Sequence, residues 1–312
     1  MVVNNVVHVN ECGLPLNAIE WLVKHHQSKL KERGQMIRDL RLERGSFVVD
    51  AGCGPGLWTP FLADAIGLEG SILGIDISTE ALISAQRISN NTWYRHLVQY
   101  KRAMLEQLPI EHGSADLIFS ANVSQYLPEP AVTFAAMGPY LKRGGQLVIK
   151  DIDFGTMKFH GIDPMLQARV LQARERWEME RVANGYAHED SWVGSKLAGY
   201  LRDAGFKDVE ERAYKIVREA PLPADFRFYL EGIAEWFVCE GAPYLSHNDR
   251  THWLQCFTDK TNNALDHENF RSEETEFVVS GVWDSSTKPC FYADMHVESP
   301  HGEPILLTND AL

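Results

Sequence analysis

The chain has 312 residues, 45% of them hydrophobic and 23% charged, which is the composition of a globular protein able to bury a large core. Its net charge of −13 argues against a broad phosphate-binding face, because nucleic-acid affinity depends on Lys and Arg, and favours a small-molecule ligand. Five scattered cysteines without a C-x-x-C pair predict reduced thiols and no metal site, and the lack of a signal peptide or an apolar run of roughly 18 residues predicts a cytoplasmic protein without a membrane span.

The first predicted element is helical and spans residues 17–44, with a break near Gly34. We expect a lid or an edge helix here. The stretch is rich in basic residues: Lys24, Lys29, Lys31, Arg33, Arg38, Arg41 and Arg44. They fit either a solvated helix face, which is favoured, or an anion-binding edge. His25 and His26 are expected at the surface rather than in a ligand site.

The central motif is the run FVVDAGCGPG from Phe47 to Gly56. An apolar run ending in an acid, followed by glycines and a helical pattern closed by Gly67, predicts strand, tight turn and helix. Glycines are needed where a Cβ would collide with a ligand or where φ is positive. The turn therefore predicts a place where the backbone passes close to a bound molecule.

The second predicted strand is Ser71–Asp76, and its final acid lies 20 residues after Gly56. Doubly wound nucleotide-binding folds place an acid at this position to accept hydrogen bonds from ribose hydroxyls. The glycine spacing differs from the G-x-G-x-x-G dinucleotide fingerprint, which disfavours a nicotinamide cofactor. Ser78 or Thr79 then caps a helix through Ser89.

The Asp-x-Gly-x-Gly-x-Gly turn resembles motif I of the class I S-adenosylmethionine-dependent methyltransferases. Leu108-Pro109, the strand from Asp116 and Gly144-Gly145 resemble the ubiquinone/menaquinone-type subset of that family. The resemblance implies that Asp76 holds the ribose diol, and that Asp50 lies near the methionine ammonium or orders the loop.

The subset usually carries an Asp bonded to the adenine amino group where this chain has Met104. Two interpretations stay open. Either Glu106 substitutes for the missing carboxylate, or the adenine site is more apolar than usual, with Met104 against the ring and the Leu105 backbone N–H as donor.

The fourth and fifth predicted strands are 116–122 and 146–151, after a third at 96–100. Ligands of such sheets bind beyond the carboxyl ends of the strands, so Asn122, Gln125 and Tyr126 are candidates for the acceptor site. A general base helps only certain acceptors. Its candidates are Tyr126, Asp151, Asp153, His160 and His188.

Later elements are predicted to cover this site and complete the sheet. A helix runs from Pro164 to about Asn184, a second covers 197–205, and strands span 208–217 and 275–283. The aromatic helical stretch 224–240 is favoured as core, with a pocket lining as the alternative. Asp294, His296 and Glu298 fit an exposed strand face better than a metal site.

Together these patterns predict an α/β fold: a Rossmann-like, doubly wound, seven-stranded, mostly parallel sheet with helical cover insertions. The expected divisions are an N-terminal helical lid (1–44), a cofactor-binding core (45–151), a helical insertion over the acceptor site (152–193), completion of the sheet with aromatic-rich helices (194–283) and a C-terminal extension (284–312).

The resemblance implies a methyltransferase that moves the methyl group of S-adenosylmethionine to a small, apolar or biosynthetic metabolite. The implied catalytic residues are Tyr126, Asp151 and His160. The implied cofactor-binding residues are Asp50, Gly52, Cys53, Gly54, Gly56, Asp76, Ile77, Met104, Leu105 and Asn122. Alternatives are a protein that keeps the cofactor for a non-methylating role, an NAD-dependent oxidoreductase and an RNA methyltransferase. A homo-oligomer stays open.

Overall fold

The computed structural model describes residues 18–185, 189–259, 261 and 263–284. His188 and the set Asp294, His296 and Glu298, which entered the sequence analysis as candidates, lie outside the described residues. In the described part of the chain, no helix is both long enough and apolar enough to cross a bilayer.

The centre of the fold is one sheet of seven strands in the order β3-β2-β1-β4-β5-β7-β6. The strands are β1 Phe47–Ala51, β2 Ser71–Asp76, β3 Val98–Arg102, β4 Ala115–Ala121, β5 Leu141–His160, β6 Lys207–Glu219 and β7 Arg271–Val282. Strands β1 to β5 are parallel, and β7 runs antiparallel to both of its neighbours. This order confirms the predicted doubly wound α/β fold.

Helices flank the sheet and cover one end of it. They are α1 Ile19–Gln27, α2 Leu30–Leu40, α3 Thr59–Ile66, α4 Thr79–Asn90, α5 Pro130–Met137, α6 Pro164–Ala183, α7 Leu197–Asp203, α8 Ala224–Gly241 and α9 His247–Thr258. Ser78 caps α4 by accepting a hydrogen bond from the Ala81 N–H at 3.2 Å, as predicted.

The predicted helix break at Gly34 is wrong. The chain leaves α1 at Ser28 and re-enters a helix at Leu30, and Gly34 lies within α2. A Cβ at this position would come within 3.2 Å of the Phe61 ring. The glycine therefore allows α2 to pack closely against α3, and it ends no helix.

Strand β5 is much longer than predicted. It was expected to end at Asp151, but it continues to His160 because β7 pairs with it as far as the His160–Arg271 register. Residues 152–160 are thus strand, and the expected boundary at 151 falls inside β5. This extension carries the sheet beyond the ends of β1 and β4.

The extension of β5 is covered by an aromatic core. Phe154 contacts Trp236 of α8 with ring centroids 5.1 Å apart, and Phe159 contacts Trp253 of α9 at 5.8 Å. The Trp253 Nε1–H donates to the Ala234 carbonyl at 3.0 Å. Burying each such ring contributes roughly 1.5–3 kcal/mol. The favoured interpretation of the aromatic stretch as core is confirmed, and α8 and α9 cover residues 152–160 of β5.

Among the cysteines within the described residues, one differs from the prediction. Cys53 and Cys256 are free thiols, as expected. Cys239 is disulfide-bonded, so the prediction of reduced thiols is wrong for that residue.

Candidate active site

The glycine turn after β1 is held by backbone bonds and bordered by open space. The Gly52 and Cys53 N–H groups both donate to the Ile75 carbonyl at 2.8 Å. Gly52, Gly54 and Gly56 have φ of +74°, +52° and +74°. A Cβ on Gly56 would come within 2.7 Å of the Tyr100 hydroxyl, whereas a Cβ on Gly54 would meet nothing within 4 Å. Gly54 therefore borders space in which a ligand can lie against the backbone.

Asp76 at the end of β2 orders this turn. Its Oδ2 accepts a hydrogen bond from the Gly54 N–H at 2.9 Å, and its Oδ1 accepts one from the Ser78 N–H at 2.8 Å. The residue stays partly exposed. Each carboxylate oxygen has two lone pairs, so acceptor capacity remains for a diol.

Asp50 at the end of β1 is a buried carboxylate that lacks a partner. Its Oδ2 makes no hydrogen bond, although the side chain is only 1% exposed. Burial, with a contribution from the Asp76 charge, raises the pKa of Asp50 to about 7. The hydrogen bonds that order the loop come from Asp76 and Ile75 instead. An orphaned acid of this kind fits a cationic group such as an ammonium.

The side chain of Cys53 does not face the open space over the turn. It is buried, and its Sγ lies where it would be 3.1 Å from a Cβ on Gly74 in the neighbouring strand. Burial raises the pKa of this thiol above its ordinary value. Only the Cys53 backbone belongs to the turn.

Two large apolar side chains are exposed at the ends of β2 and β3. Ile77 is 66% exposed and Met104 is 59% exposed, and the two follow the paired positions Asp76 and Arg102. The strand register brings the chain segments that carry them side by side, so they are available to pack against an apolar ligand group. Glu106 is engaged elsewhere, since its Oε1 accepts a hydrogen bond from Thr133 on α5 at 2.7 Å. These contacts favour the apolar interpretation of the adenine side.

Leu105 lies between these groups along the chain. It is half-buried and packs against the apolar core beneath β1 and β4. Its side chain therefore anchors the segment that follows β3, and only its backbone is left for a ligand.

Asn122, directly after β4, and Lys150, in the middle of β5, form a close pair. The Asn122 N–H donates to the Lys150 carbonyl at 2.8 Å, and the Lys150 Nζ donates to Asn122 Oδ1 at 2.6 Å. Asn122 has φ of +59°, a conformation that Asn tolerates better than most residues. Lys150 is fully buried, and sequence reasoning gave it no role.

Asp151 lies beside this pair and holds the turn that follows β4. Its Oδ2 accepts a hydrogen bond from the Ser124 N–H at 3.0 Å, and its Oδ1 accepts one from the Ile152 N–H at 3.0 Å. Burial raises the pKa of Asp151 to about 7, with the Lys150 charge acting in the opposite direction. Asp153, by contrast, bonds the backbone of Gly155 at 2.9 Å, a structural role.

Tyr126 ends that turn with 46% of its surface exposed. Desolvation by the surrounding protein, followed by the charges of Glu189 and Asp151, raises the pKa of its phenol above the ordinary value. The Gln125 carbonyl accepts a hydrogen bond from the Asp190 N–H at 2.7 Å, which ties the turn to the segment after α6. The segment after α6 thus borders Tyr126 on one side and leaves the rest of its surface exposed.

His160 is not brought to this region. It lies nine residues beyond Asp151 on β5, a span on the order of 20–30 Å in extended chain. It is half exposed, pairs with Glu273 at 3.5 Å and lines a groove of about 610 Å³. Of the three catalytic candidates, the structure brings Tyr126 and Asp151 together and places His160 apart.

A buried ion cluster joins the N-terminal helices to β5 and β7. We define it as Lys29, Arg33, Lys150, Glu274 and Glu276. Lys29 Nζ lies 2.5 Å from Glu274 Oε1 and 3.3 Å from Glu276 Oε1, Arg33 Nη2 lies 3.5 Å from Glu276 Oε1, and Lys150 Nζ lies 2.9 Å from Glu276 Oε2. The favoured prediction of a solvated basic face is wrong for Lys29 and Arg33, because they pair with acids more than 240 residues away.

The two histidines of α1 pack beside the ion cluster. Arg33 bonds His26 Nδ1 at 2.7 Å and His25 Nε2 at 3.2 Å, and His25 stacks on Tyr229 at 4.6 Å. Burial and the neighbouring cations lower the pKa of His25 well below its ordinary value and that of His26 to about 2. Both rings are therefore neutral, and the surface prediction is wrong for His26, which is buried.

Comparison with known proteins agrees with this geometry. Residues 49–149 match the family described as methyltransferase domain. An uncharacterized 37.1 kDa protein in transposon Tn4556 of Streptomyces fradiae is 30% identical over 172 residues, which are 55% of this chain and 46% of that relative, about half its length.

Two further matches concern the quinone-type subset of methyltransferases and the fold. The demethylmenaquinone methyltransferase of Geobacillus stearothermophilus is 26% identical over 196 residues, 59% of this chain and 81% of that enzyme. The crystal structure of the YcgJ protein from Bacillus subtilis superposes with a TM-score of 0.51 and 14% identity, covering 84% of this chain and 100% of that one. The latter match concerns the fold alone.

Proposed function

We propose that this chain is a class I S-adenosylmethionine-dependent methyltransferase that methylates a small, apolar or biosynthetic metabolite, since residues 49–149 match the methyltransferase-domain family and a demethylmenaquinone methyltransferase is 26% identical over 196 residues. The proposed small size and apolar character of the acceptor rest on the helical cover at this end of the sheet. The Asp190 N–H donates to the Gln125 carbonyl in the turn after β4 at 2.7 Å. Trp236 of α8 packs on Phe154 of β5. An acceptor admitted beneath aromatic helices is small and largely apolar.

S-Adenosylmethionine is the cofactor, and the geometry supports a binding role for the residues near each portion of the molecule. Asp50 would pair with the ammonium of the methionine portion, since its buried Oδ2 has no other partner. Gly54 would let the backbone approach the ligand, and Asp76 would accept hydrogen bonds from the ribose hydroxyls. Ile77 and Met104 would lie against the adenine.

When bound, the cofactor supplies a methyl group already activated on a sulfonium, which is transferred by in-line displacement. The protein's task is then to align the acceptor with that methyl group at about 3–3.5 Å, and no protein nucleophile is required. Asp151 fixes the turn of residues 124–126 through the Ser124 N–H. Tyr126, partly exposed on that turn, would contact the acceptor.

Two measurements test the proposal in sequence. Titration calorimetry of the full chain with S-adenosylhomocysteine and, separately, with NADH is expected to show binding of the first alone. Incubation with labelled S-adenosylmethionine and a cell extract, followed by mass identification of the product, is expected to yield a methylated small molecule. If NADH binds and S-adenosylhomocysteine does not, the assignment of S-adenosylmethionine as the cofactor is refuted.

The extract assay also separates the remaining alternatives. Label transferred to RNA rather than to a metabolite would indicate an RNA methyltransferase. Tight cofactor binding without transfer to any product would indicate a methyltransferase fold that serves a non-methylating function.

A further inference from the structure

The Lys150–Asn122 contact fixes which end of the Asn122 amide faces the strand ends. An ammonium group can only donate hydrogen bonds, so the atom that lies 2.6 Å from Lys150 Nζ is the amide oxygen. The amide nitrogen faces away from Lys150. Within the described ranges, no group accepts a hydrogen bond from it. Asn122 therefore presents two N–H donors beyond the end of β4.

The backbone reinforces this orientation. The Asn122 N–H is bonded to the Lys150 carbonyl at 2.8 Å, so the residue is held to β5 by both its main chain and its side chain. Its positive φ of 59° directs the chain into the turn that Asp151 holds. The donors are thus rigidly placed.

Positive charge lies behind these donors. The ion cluster contains three cations and two carboxylates, and both neighbouring histidines are neutral. Asp151 is the next acid, and burial raises its pKa to about 7. Burial lowers the pKa of Lys150 to about 8, which keeps it largely protonated at neutral pH. Such an assembly of buried charges is costly unless its members are paired with good geometry.

We propose that Asn122 and Lys150 form an oxygen-binding subsite of the acceptor pocket. The Asn122 amide donates to a carbonyl, phenolic or enolic oxygen of the acceptor, while Lys150 is a positioning residue that fixes the amide and supplies positive potential behind it. This inference rests on the proposed methyltransferase function. It narrows the acceptor from an apolar metabolite to one that carries such an oxygen near the reacting atom.

The test uses a shape-matched pair of probes with the full chain saturated by S-adenosylhomocysteine. The probes are 1-naphthol and 1-methylnaphthalene, which differ in the presence of the oxygen. The Asn122 side-chain signals are observed in protein labelled with ¹⁵N in its asparagine amides, and are assigned by their absence in Asn122→Asp. We expect 1-naphthol to shift these signals and to bind five- to tenfold more tightly than 1-methylnaphthalene.

Variants separate a positioning role from a structural one. In Lys150→Met the preference for 1-naphthol is expected to fall below twofold, with S-adenosylhomocysteine affinity within threefold of wild type. The matched control is Lys29→Met, which removes a cation of the same cluster that does not contact Asn122, and the preference is expected to persist. If Lys150→Met fails to fold, Asn122→Gly removes the side-chain donors, tolerates the φ of +59° and is expected to abolish the preference.

Three outcomes would overturn the subsite. These are equal binding of the two probes to the wild type, an unchanged preference in Lys150→Met or Asn122→Gly, and a shift of the Asn122 signals by S-adenosylhomocysteine to which 1-naphthol adds nothing. The last would assign the amide to the cofactor. Failure of S-adenosylhomocysteine to bind at all would instead refute the proposed function, which keeps the two failures distinct.

Discussion

The buried carboxylate of Asp50, whose Oδ2 has no hydrogen-bond partner, leads to an unusual prediction for a binding-site residue. Replacing it by the isosteric, uncharged Asn should stabilise the ligand-free protein while destroying cofactor binding. The reason is that Asp50 is buried with an Oδ2 that makes no hydrogen bond. Ionising it in the folded chain is therefore unfavourable until a cation arrives.

The magnitude follows from the difference in pKa between the folded and unfolded states. The pKa is about 7 in the folded chain and about 3.9 for an unperturbed aspartate, a difference worth about 4 kcal/mol. Because the folded pKa is the higher one, the stabilising proton is fully bound below about pH 4, and its contribution is lost as the pH rises through 7. Asp50→Asn should thus be more stable than wild type by up to about 4 kcal/mol at pH 8, and nearly equal at pH 4.

The assay is urea unfolding of both proteins, without ligand, at pH 8 and at pH 4–5. Since other groups titrate in both, only the difference between variants is interpreted. In parallel, the wild-type affinity for S-adenosylhomocysteine should rise up to tenfold per pH unit from pH 5 towards pH 7, as Asp50 loses its proton. A variant less stable than wild type at pH 8, together with an affinity that does not change with pH, would refute the reasoning.

Four further outcomes are expected. Asp76→Ala should weaken S-adenosylhomocysteine binding by about 1.5–3 kcal/mol by calorimetry, because it removes a charged acceptor and the bond to the turn, while the exposed Asp64→Ala should change it little. Gly54→Val should abolish that binding but keep the helical circular dichroism, because its side chain would fill the open space over the turn at a φ of +52°. Glu276→Gln should lower the free energy of unfolding by about 3–5 kcal/mol, measured in urea at neutral pH, because it leaves three buried cations poorly compensated. The pKa of Glu276 lies below the ordinary value, so this difference between the variant and the wild type should shrink in strong acid. His160→Ala should retain the methyl-transfer rate in the extract assay, and a large loss would show that the groove at the end of β5 takes part in the reaction.

The parts of the fold that the sequence predicted well depend on local chemistry. The Ser78 cap accepts from an N–H three residues away, and within the glycine turn the Gly56 N–H donates to the Cys53 carbonyl at 2.9 Å. Their residue types therefore identify them without knowledge of the tertiary structure.

The parts that were missed depend on distant pairing. Strand β5 reaches His160 only because β7 pairs with it, and Lys29 is buried only because Glu274 and Glu276 lie opposite it. A lysine in a helix with basic neighbours reads as solvated until its partner is known. The available signal was in β7, whose first half carries the acids Glu273, Glu274 and Glu276.

Contacts between residues distant in the chain also limited what could be predicted about the site. Asp50 and Asp76 were recognised at the strand ends, but their roles in the loop could not be divided without the observed hydrogen bonds. Lys150 was counted as one residue of a strand, because its contact with Asn122 depends on the neighbouring order of β4 and β5.

The ion cluster also sets the minimum length of a usable fragment. The matched family segment, residues 49–149, ends one residue before Lys150 and contains neither α1 and α2 nor β7. A fragment trimmed to begin after residue 44 would keep Glu274 and Glu276 but lose Lys29 and Arg33, leaving buried acids facing a single lysine. The N-terminal helices are therefore expected to melt together with the sheet, and expression boundaries for this protein are best drawn outside them.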